Sequence, residues 1–155
     1  MADETTTLIQ AKSIETEEDM QTFNLSILAP ERRLIEGERV VSVVLTTTEG
    51  EIEILPGHAN MVAQLEPGKF IYTPRGEKPV RGVISSGFVN VENGSVKVVA
   101  ETIELSSEID TNRAKAAQVK AEKELAGASL DEQTFRKYQF KLQRAIVRQS
   151  VGTHR

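Results

Sequence analysis

The strongest constraint on what this chain can fold into is a change in its hydrophobic period near Ala100. Upstream of that point, apolar residues alternate or fill short β-branched runs, as a pleated strand requires. Phe23, Leu25 and Ile27 alternate, and residues 40–47 are rich in Val and Thr. Further short strands are predicted over residues 61–65, 70–73, 80–84, 88–91 and 96–100. Turn signals separate them at Glu36-Gly37-Glu38, Glu49-Gly50-Glu51, Pro56-Gly57, Pro67-Gly68, Arg75-Gly76 and Asn93-Gly94. The last reads as a type I′ hairpin. Many short strands with regular turns predict a sandwich or a flattened barrel.

Downstream, Ala114, Ala117, Ala121 and Leu125 fall at helical spacing. Gly127-Ala128-Ser129 breaks that helix, and Ser129 with Glu132 reads as a capping box for a second one. Phe135, Tyr138, Leu142 and Ala145 or Ile146 then line one face. So short a break predicts an antiparallel helical hairpin. The expected fold class is α+β by segment: an N-terminal antiparallel β-sandwich over residues 23–105 and a C-terminal α-helical hairpin over residues 106–155. Residues 1–22 have no sustained apolar period and read as an acidic, flexible extension with neither a secretory nor a transit signal.

Composition removes whole classes of chemistry. With no cysteine, disulfide frameworks, thiolate metal sites and thiol catalysis are excluded together. No apolar run approaches the ~20 residues that a membrane helix needs. Tryptophan is absent and aromatics are 5%, which argues against base-stacking and nucleic acid as a partner. The net charge of −4 is unevenly spread. Residues 1–22 carry −5 and residues 113–155 carry +6, so by charge the C-terminal segment suits nucleic acid or an acidic protein surface equally, and composition alone does not choose between them.

Two short stretches hold candidate chemistry. Glu49, Glu51 and Glu53 share strand parity, and such carboxylates can do acid–base work or bind a hard cation. No nucleophile or electrophile-binding group accompanies them, so a solvated, partner-facing edge is the better account. His58 reads as a turn residue, and His154 lies near the C-terminus. No phosphate loop, dinucleotide fingerprint, metal-ligand spacing or nucleophile elbow is present, which points away from an enzyme. The second stretch is Ile109-Asp110-Thr111-Asn112-Arg113-Ala114. It reads as a capped helix start, with Asp110 as cap and Ile109 as staple. It also reads as half of an anion site in which Arg113, Arg144 and Arg148 converge on a phosphate chain.

Four motifs occur in one order: Ala29-Pro30-Glu31-Arg32-Arg33-Leu34, the run of residues 49–59, Ser86-Gly87-Phe88, and residues 109–114. In that order they resemble the epsilon subunits of F-type ATP synthases, whose mitochondrial counterpart is called delta. The resemblance implies about ten short strands followed by the hairpin, and a non-catalytic rotor role. The implied partners are the gamma subunit, the membrane c-ring and the catalytic alpha/beta hexamer. It implies a c-ring contact through Glu49, Gly50, Glu51 and His58. It also implies a hairpin that lies on the sandwich or extends along gamma, where Lys137, Lys141, Arg144 and Arg148 engage the hexamer and inhibit hydrolysis. No cofactor is required, but the family match implies a possible regulatory ATP site from Glu104, Ile109, Asp110, Arg113, Ala114, Arg144 and Arg148. The implied location is peripheral, on the cytoplasmic face of a bacterial plasma membrane, with membrane association only through the complex.

This chain departs from many members at Glu53, where glycine is common, and at Asn60, where proline is common. Its acidic extension is additional, and the charge contrast suggests that it pairs with the basic helices. The competing reading is a free-standing ligand-binding β-sandwich whose hairpin mediates oligomerisation.

Overall fold

A computed structural model describes residues 21–127 and 129–153. The acidic extension expected over residues 1–22 falls largely outside the described residues, as does His154. Eight strands run in the order β1 (Phe23–Ala29), β2 (Arg32–Thr47), β3 (Gly50–Ile54), β4 (Met61–Pro74), β5 (Val80–Ile84), β6 (Gly87–Glu92), β7 (Ser95–Ala100) and β8 (Ile103–Leu105). A 3-10 turn (Ser106–Glu108) leads into helices α1 (Thr111–Ala126) and α2 (Glu132–Thr153). The strand order is β3-β2-β1-β7-β6-β4-β5-β8, and β2 also pairs with β4. These pairings fold the sheet back on itself as two packed layers.

The count is eight among the described residues, against the about ten that the resemblance implies, and two of the turn signals lie inside long strands. Gly37 has φ +68°, and opposite it β1 has one residue fewer: Leu25 faces Glu38 and Ile27 faces Ile35. That is a β-bulge in β2, with the glycine supplying the left-handed residue and Ser26 Oγ accepting its N–H at 2.9 Å. Pro67-Gly68 is a corner in β4. Residues Met61 to Leu65 pair with β6, and Gly68 to Tyr72 pair with β5. Proline has no N–H to leave unpaired where the strand changes partner. Gly68 is forced by space, since a Cβ there would collide with the Thr46 side chain.

One pairing also differs from the antiparallel expectation: β1 lies parallel to β7 from Asn24–Ser95 to Leu28–Val99. All the others are antiparallel. The Asn93-Gly94 turn forms as expected, with φ of 49° and 74°. Between the layers lie Leu25, Ile27, Val43, Leu45, Ile54, Leu65, Val89, Val98 and Phe70, the bulkiest fully buried side chain. The Phe70 and Tyr72 rings stack with centroids 6.3 Å apart.

The helices form the hairpin. Asp110 Oδ1 accepts the Arg113 N–H at 3.0 Å, and Ile109 is buried beside this cap. The second cap differs from the sequence reading. Asp131, not Ser129, caps α2, its Oδ1 accepting from Thr134 N at 2.9 Å and its Oδ2 from Thr134 Oγ1 at 2.7 Å. A carboxylate next to the helix start also suits the positive end of the helix dipole better than a hydroxyl two residues away.

The facing stripe is narrower than predicted. Ala114 and Ala121 of α1 and Ala145 of α2 are buried, whereas Phe135 and Ile146 are 42% and 47% exposed. Between the helices, Gln149 Nε2 donates to Gln118 Oε1 at 2.5 Å. Asp131→Ala should therefore fray the first turn of α2 and speed amide exchange at Gln133 and Thr134, while Ser129→Ala should leave both unchanged. Residue-resolved hydrogen exchange checks this.

Candidate functional site

The hairpin is docked on one end of the sandwich by its second helix. Gln143 Nε2 donates to the Pro67 carbonyl at 2.9 Å. Arg148 Nη2 donates to Glu104 Oε1 at 2.7 Å, and its Nε lies 2.6 Å from Oε2 but is poorly aimed, so the first bond carries the pair. Val151 is packed with Val83 and Ile109, flanked by Val147. The root of the hairpin is fixed separately. Arg32 reaches Glu108 through both terminal nitrogens, at 2.7 and 3.0 Å, and Glu108 Oε2 also accepts from Leu105 N at 2.8 Å.

Between α1 and α2 lies a cavity of about 250 Å³. Lys120, Lys141, Arg144 and Arg148 line it together with Ala117 and Tyr138, and no carboxylate does. The Lys141 ammonium sits 5.1 Å from the Tyr138 ring centroid, a cation–π contact. Lys141 and Arg144 also line a second cavity of about 330 Å³, where Lys137 and Phe140 meet Ser86 and Glu101 of the sandwich. The two cavities share these two cations of α2. Small alanines at the helix contact leave the first cavity open, and Lys120 of α1 with Lys141, Arg144 and Arg148 of α2 give it its charge. Such a site suits a polyphosphate.

The structure separates the residues that the sequence grouped as an ATP site. Arg144 and Arg148 line the cavity. Glu104 meets it only through Arg148. Arg113 is exposed one turn before Ala117 on the same helix. Ile109 and Ala114 are buried packing residues, and Asp110 is the helix cap. Lys120, Lys141 and Tyr138 were not placed in that site by sequence reasoning. Lys120 follows Arg113 by seven residues, two turns along the same face, and that spacing was the available signal.

The four ring-contact candidates do not form one cluster. Glu49 and Gly50 occupy the β2–β3 turn, where Thr47 Oγ1 accepts from Glu49 N at 3.1 Å and donates to the Gly50 carbonyl at 2.8 Å. Glu51 is paired with Lys69 at 3.0 Å. His58 lies in the turn beyond the other end of β3, its N–H bonded to the Leu55 carbonyl at 3.1 Å. The length of β3, roughly 17 Å for a five-residue strand, separates them. Glu53 is exposed on the same strand, and Asn60 Oδ1 accepts from Asn93 N at 3.0 Å, tying the β3–β4 loop to the β6–β7 turn. No group of three or more potential metal-ligating side chains is gathered among the described residues. Among the described residues no helix is long and apolar enough to cross a membrane.

Sequence reasoning also missed an outward apolar patch. Phe88 and Val99 face each other across β6 and β7 and are 57% and 47% exposed. Val62, 70% exposed, lies two residues along β4 from Gln64, which opposes Phe88. The alternation that buries Val89 and Val98 already turns Phe88 and Val99 outward, so the pattern was readable.

A two-layer sandwich followed by a docked helical hairpin defines the class: a two-domain sandwich-and-hairpin subunit. Two family models match in the same order, the ATP synthase delta/epsilon chain beta-sandwich domain over residues 22–106 and the delta/epsilon chain long alpha-helix domain over residues 107–151. The chain belongs to the delta/epsilon family of ATP synthase subunits.

Relatives named ATP synthase epsilon chain are 34% identical in Citrifermentans bemidjiense, covering 85% of this chain and 94% of that one. In Halalkalibacterium halodurans the figures are 36% identity, 86% and 98%; in Syntrophomonas wolfei they are 41%, 82% and 91%. A chain in the Euglena gracilis mitochondrial ATP synthase (OSCP/F1/c-ring) superposes with a TM-score of 0.75 at 26% identity, covering 84% of this chain and 81% of that one. A chain in the Tetrahymena thermophila mitochondrial ATP synthase central stalk and c-ring shares the fold, with a TM-score of 0.61 at 11% identity, covering 83% of this chain and 95% of that one.

The hydrogen bonds from Arg32 hold the Glu108 carboxyl below its usual value of 4.5. Glu108 therefore stays ionised to lower pH in the folded chain than in the unfolded one. Its contribution is complete above the unfolded value and is lost as pH falls through the folded value. Both side chains are partly exposed, 34% and 43%, so the pair contributes under about 1 kcal/mol. Glu108→Gln should lower the melting temperature slightly at neutral pH, and that difference should vanish in acid. Thermal melts of both proteins across the acid range check this.

Proposed function

We propose that this chain is a non-catalytic central-stalk subunit of an F-type, proton-translocating ATP synthase. It couples c-ring rotation to the catalytic head and restrains ATP hydrolysis through its hairpin. The observation that carries this reading is the match of both family domains, in order, to a sandwich and a hairpin that the chain forms. The outward Phe88–Val99–Val62 patch suits an apolar docking face for gamma, since monomers rarely leave contiguous apolar surface open. The Glu49–Glu51 turn and His58 sit at the two ends of an edge strand and contact the ring as separate points along β3. The chain reaches the membrane only through this complex, on the cytoplasmic face of a bacterial plasma membrane.

Lys137, Lys141, Arg144 and Arg148 give α2 the basic surface that engages acidic loops of the catalytic hexamer when the hairpin leaves the sandwich. In the docked state, Arg144, Arg148, Lys120 and Lys141 hold the phosphates of ATP between the helices. Bound ATP then stabilises docking by RT ln(1 + [L]/Kd) and relieves inhibition when ATP is plentiful. Arg113, a turn away, meets the outer end of the ligand.

Co-expression with gamma and c-ring should recover all three together, and failure to associate with either would reject the rotor reading in favour of the free-standing sandwich. Calorimetry should show ATP binding that weakens at least about tenfold in Arg144→Ala and less in Arg113→Ala. No binding to the unmodified chain would remove the nucleotide site and leave the rotor assignment intact.

A further inference from the structure

We propose that Gly152 is the clasp that holds α2 in its docked position, because only a residue without a side chain lets the last turn of α2 close on the root of α1, which Arg32 and Glu108 fix to the sandwich. This rests on the reading of the hairpin as a mobile element. A Cβ at Gly152 would stand 2.9 Å from Ile109 Cγ2, 2.9 Å from Thr111 Cγ2 and 3.3 Å from Ile109 Cβ. Gly152 itself is buried, and the same turn brings Val151 into the small apolar cluster with Ile109 and Val83. Ile109 is 1% exposed and has no room to retreat.

The other docking contacts are polar and partly wet. The Gln143–Pro67 bond and the Arg148–Glu104 pair are replaced by bonds to water when α2 leaves the sandwich, so their net contribution is modest. The first half of α2 contributes little, since Phe135 and Phe140 remain 42% and 43% exposed. Apolar docking is thus concentrated in the last two turns, where Gly152 makes its close approach.

Helix preference alone would favour alanine over glycine here, so intrinsic propensity and the clasp predict opposite effects. Arg144, Arg148 and Gly152 fall at four-residue steps on one face of α2. An anion held by the two arginines therefore reports through the same face that the clasp secures.

The chain has no cysteine, so Asn90→Cys on exposed β6 and Gln139→Cys on exposed α2 give a unique pair of spin labels in the full-length protein. The labelled parent should show one distance, that of the docked helix. Adding Gly152→Ala should shift the ratio of undocked to docked chains by roughly tenfold or more, seen as a second, distinct distance. Gly127→Ala serves as the control, because a Cβ there meets nothing nearer than 3.5 Å. It should leave the distance unchanged.

Ile109→Leu with Thr111→Ser removes both Cγ2 methyls and should restore the single parent distance in the Gly152→Ala background. An unchanged distance in Gly152→Ala overturns the clasp. So does undocking that the two methyl-removing changes fail to reverse, since the alanine would then act by another route. None of these readings depends on gamma or the c-ring, so loss of the rotor assignment and loss of the clasp are separate results.

Discussion

The structure depends first on the pairing of β2 with β4. Both strands are long enough to belong to two layers, and each bends at a residue that tolerates the bend: Gly37 in β2 and Pro67-Gly68 in β4. Because they pair from Val40–Pro74 to Thr47–Leu65, the two layers share hydrogen-bonded edges and are not merely pressed together. The core inherits its shape from this arrangement, with Phe70 of β4 and Leu45 of β2 as directly paired neighbours that are both fully buried. The same corner presents the Pro67 carbonyl to α2, so the bend that closes the sandwich also builds part of the surface on which the hairpin lies.

Most of this was legible in the sequence, for physical reasons that differ by element. Alternation in Phe23, Leu25 and Ile27 and in Val96 and Val98 identified buried faces because pleated strands have a period of two and one face is dry. The Asn93-Gly94 turn was legible because few other dipeptides adopt two positive φ values cheaply. Glycine and proline inside β2 and β4 misled, since a bulge and a corner use the same residues as a turn, and only the partner strand tells them apart. The cap of α2 went to Asp131 because two capping candidates stood two residues apart, and local sequence alone does not weigh one against the other.

The candidate site was less legible than the fold. Arg144 and Arg148 were legible from their one-turn spacing on a predicted helix, but Lys120 and Tyr138 joined them only when the facing helix was in place. Ile109, Asp110 and Ala114, grouped with the arginines by resemblance, turn out to build the helix start and the interface that hold the cations in position. Glu104 neutralises Arg148 from across the domain boundary, a contact between residues 44 apart in sequence that no periodicity encodes. The basic cavity is therefore a property of the paired helices and not of either helix alone.

The parallel contact of β1 with β7 also orders how the molecule is made. During synthesis β1 emerges first, yet one of its edges stays open until β7 appears about seventy residues later, so the sandwich cannot close before its last hairpin is out. The helices come later still and are stitched mostly by contacts near in sequence, which form quickly. The hairpin thus arrives at a finished platform, and the chain acquires its helices only after its sheet is complete.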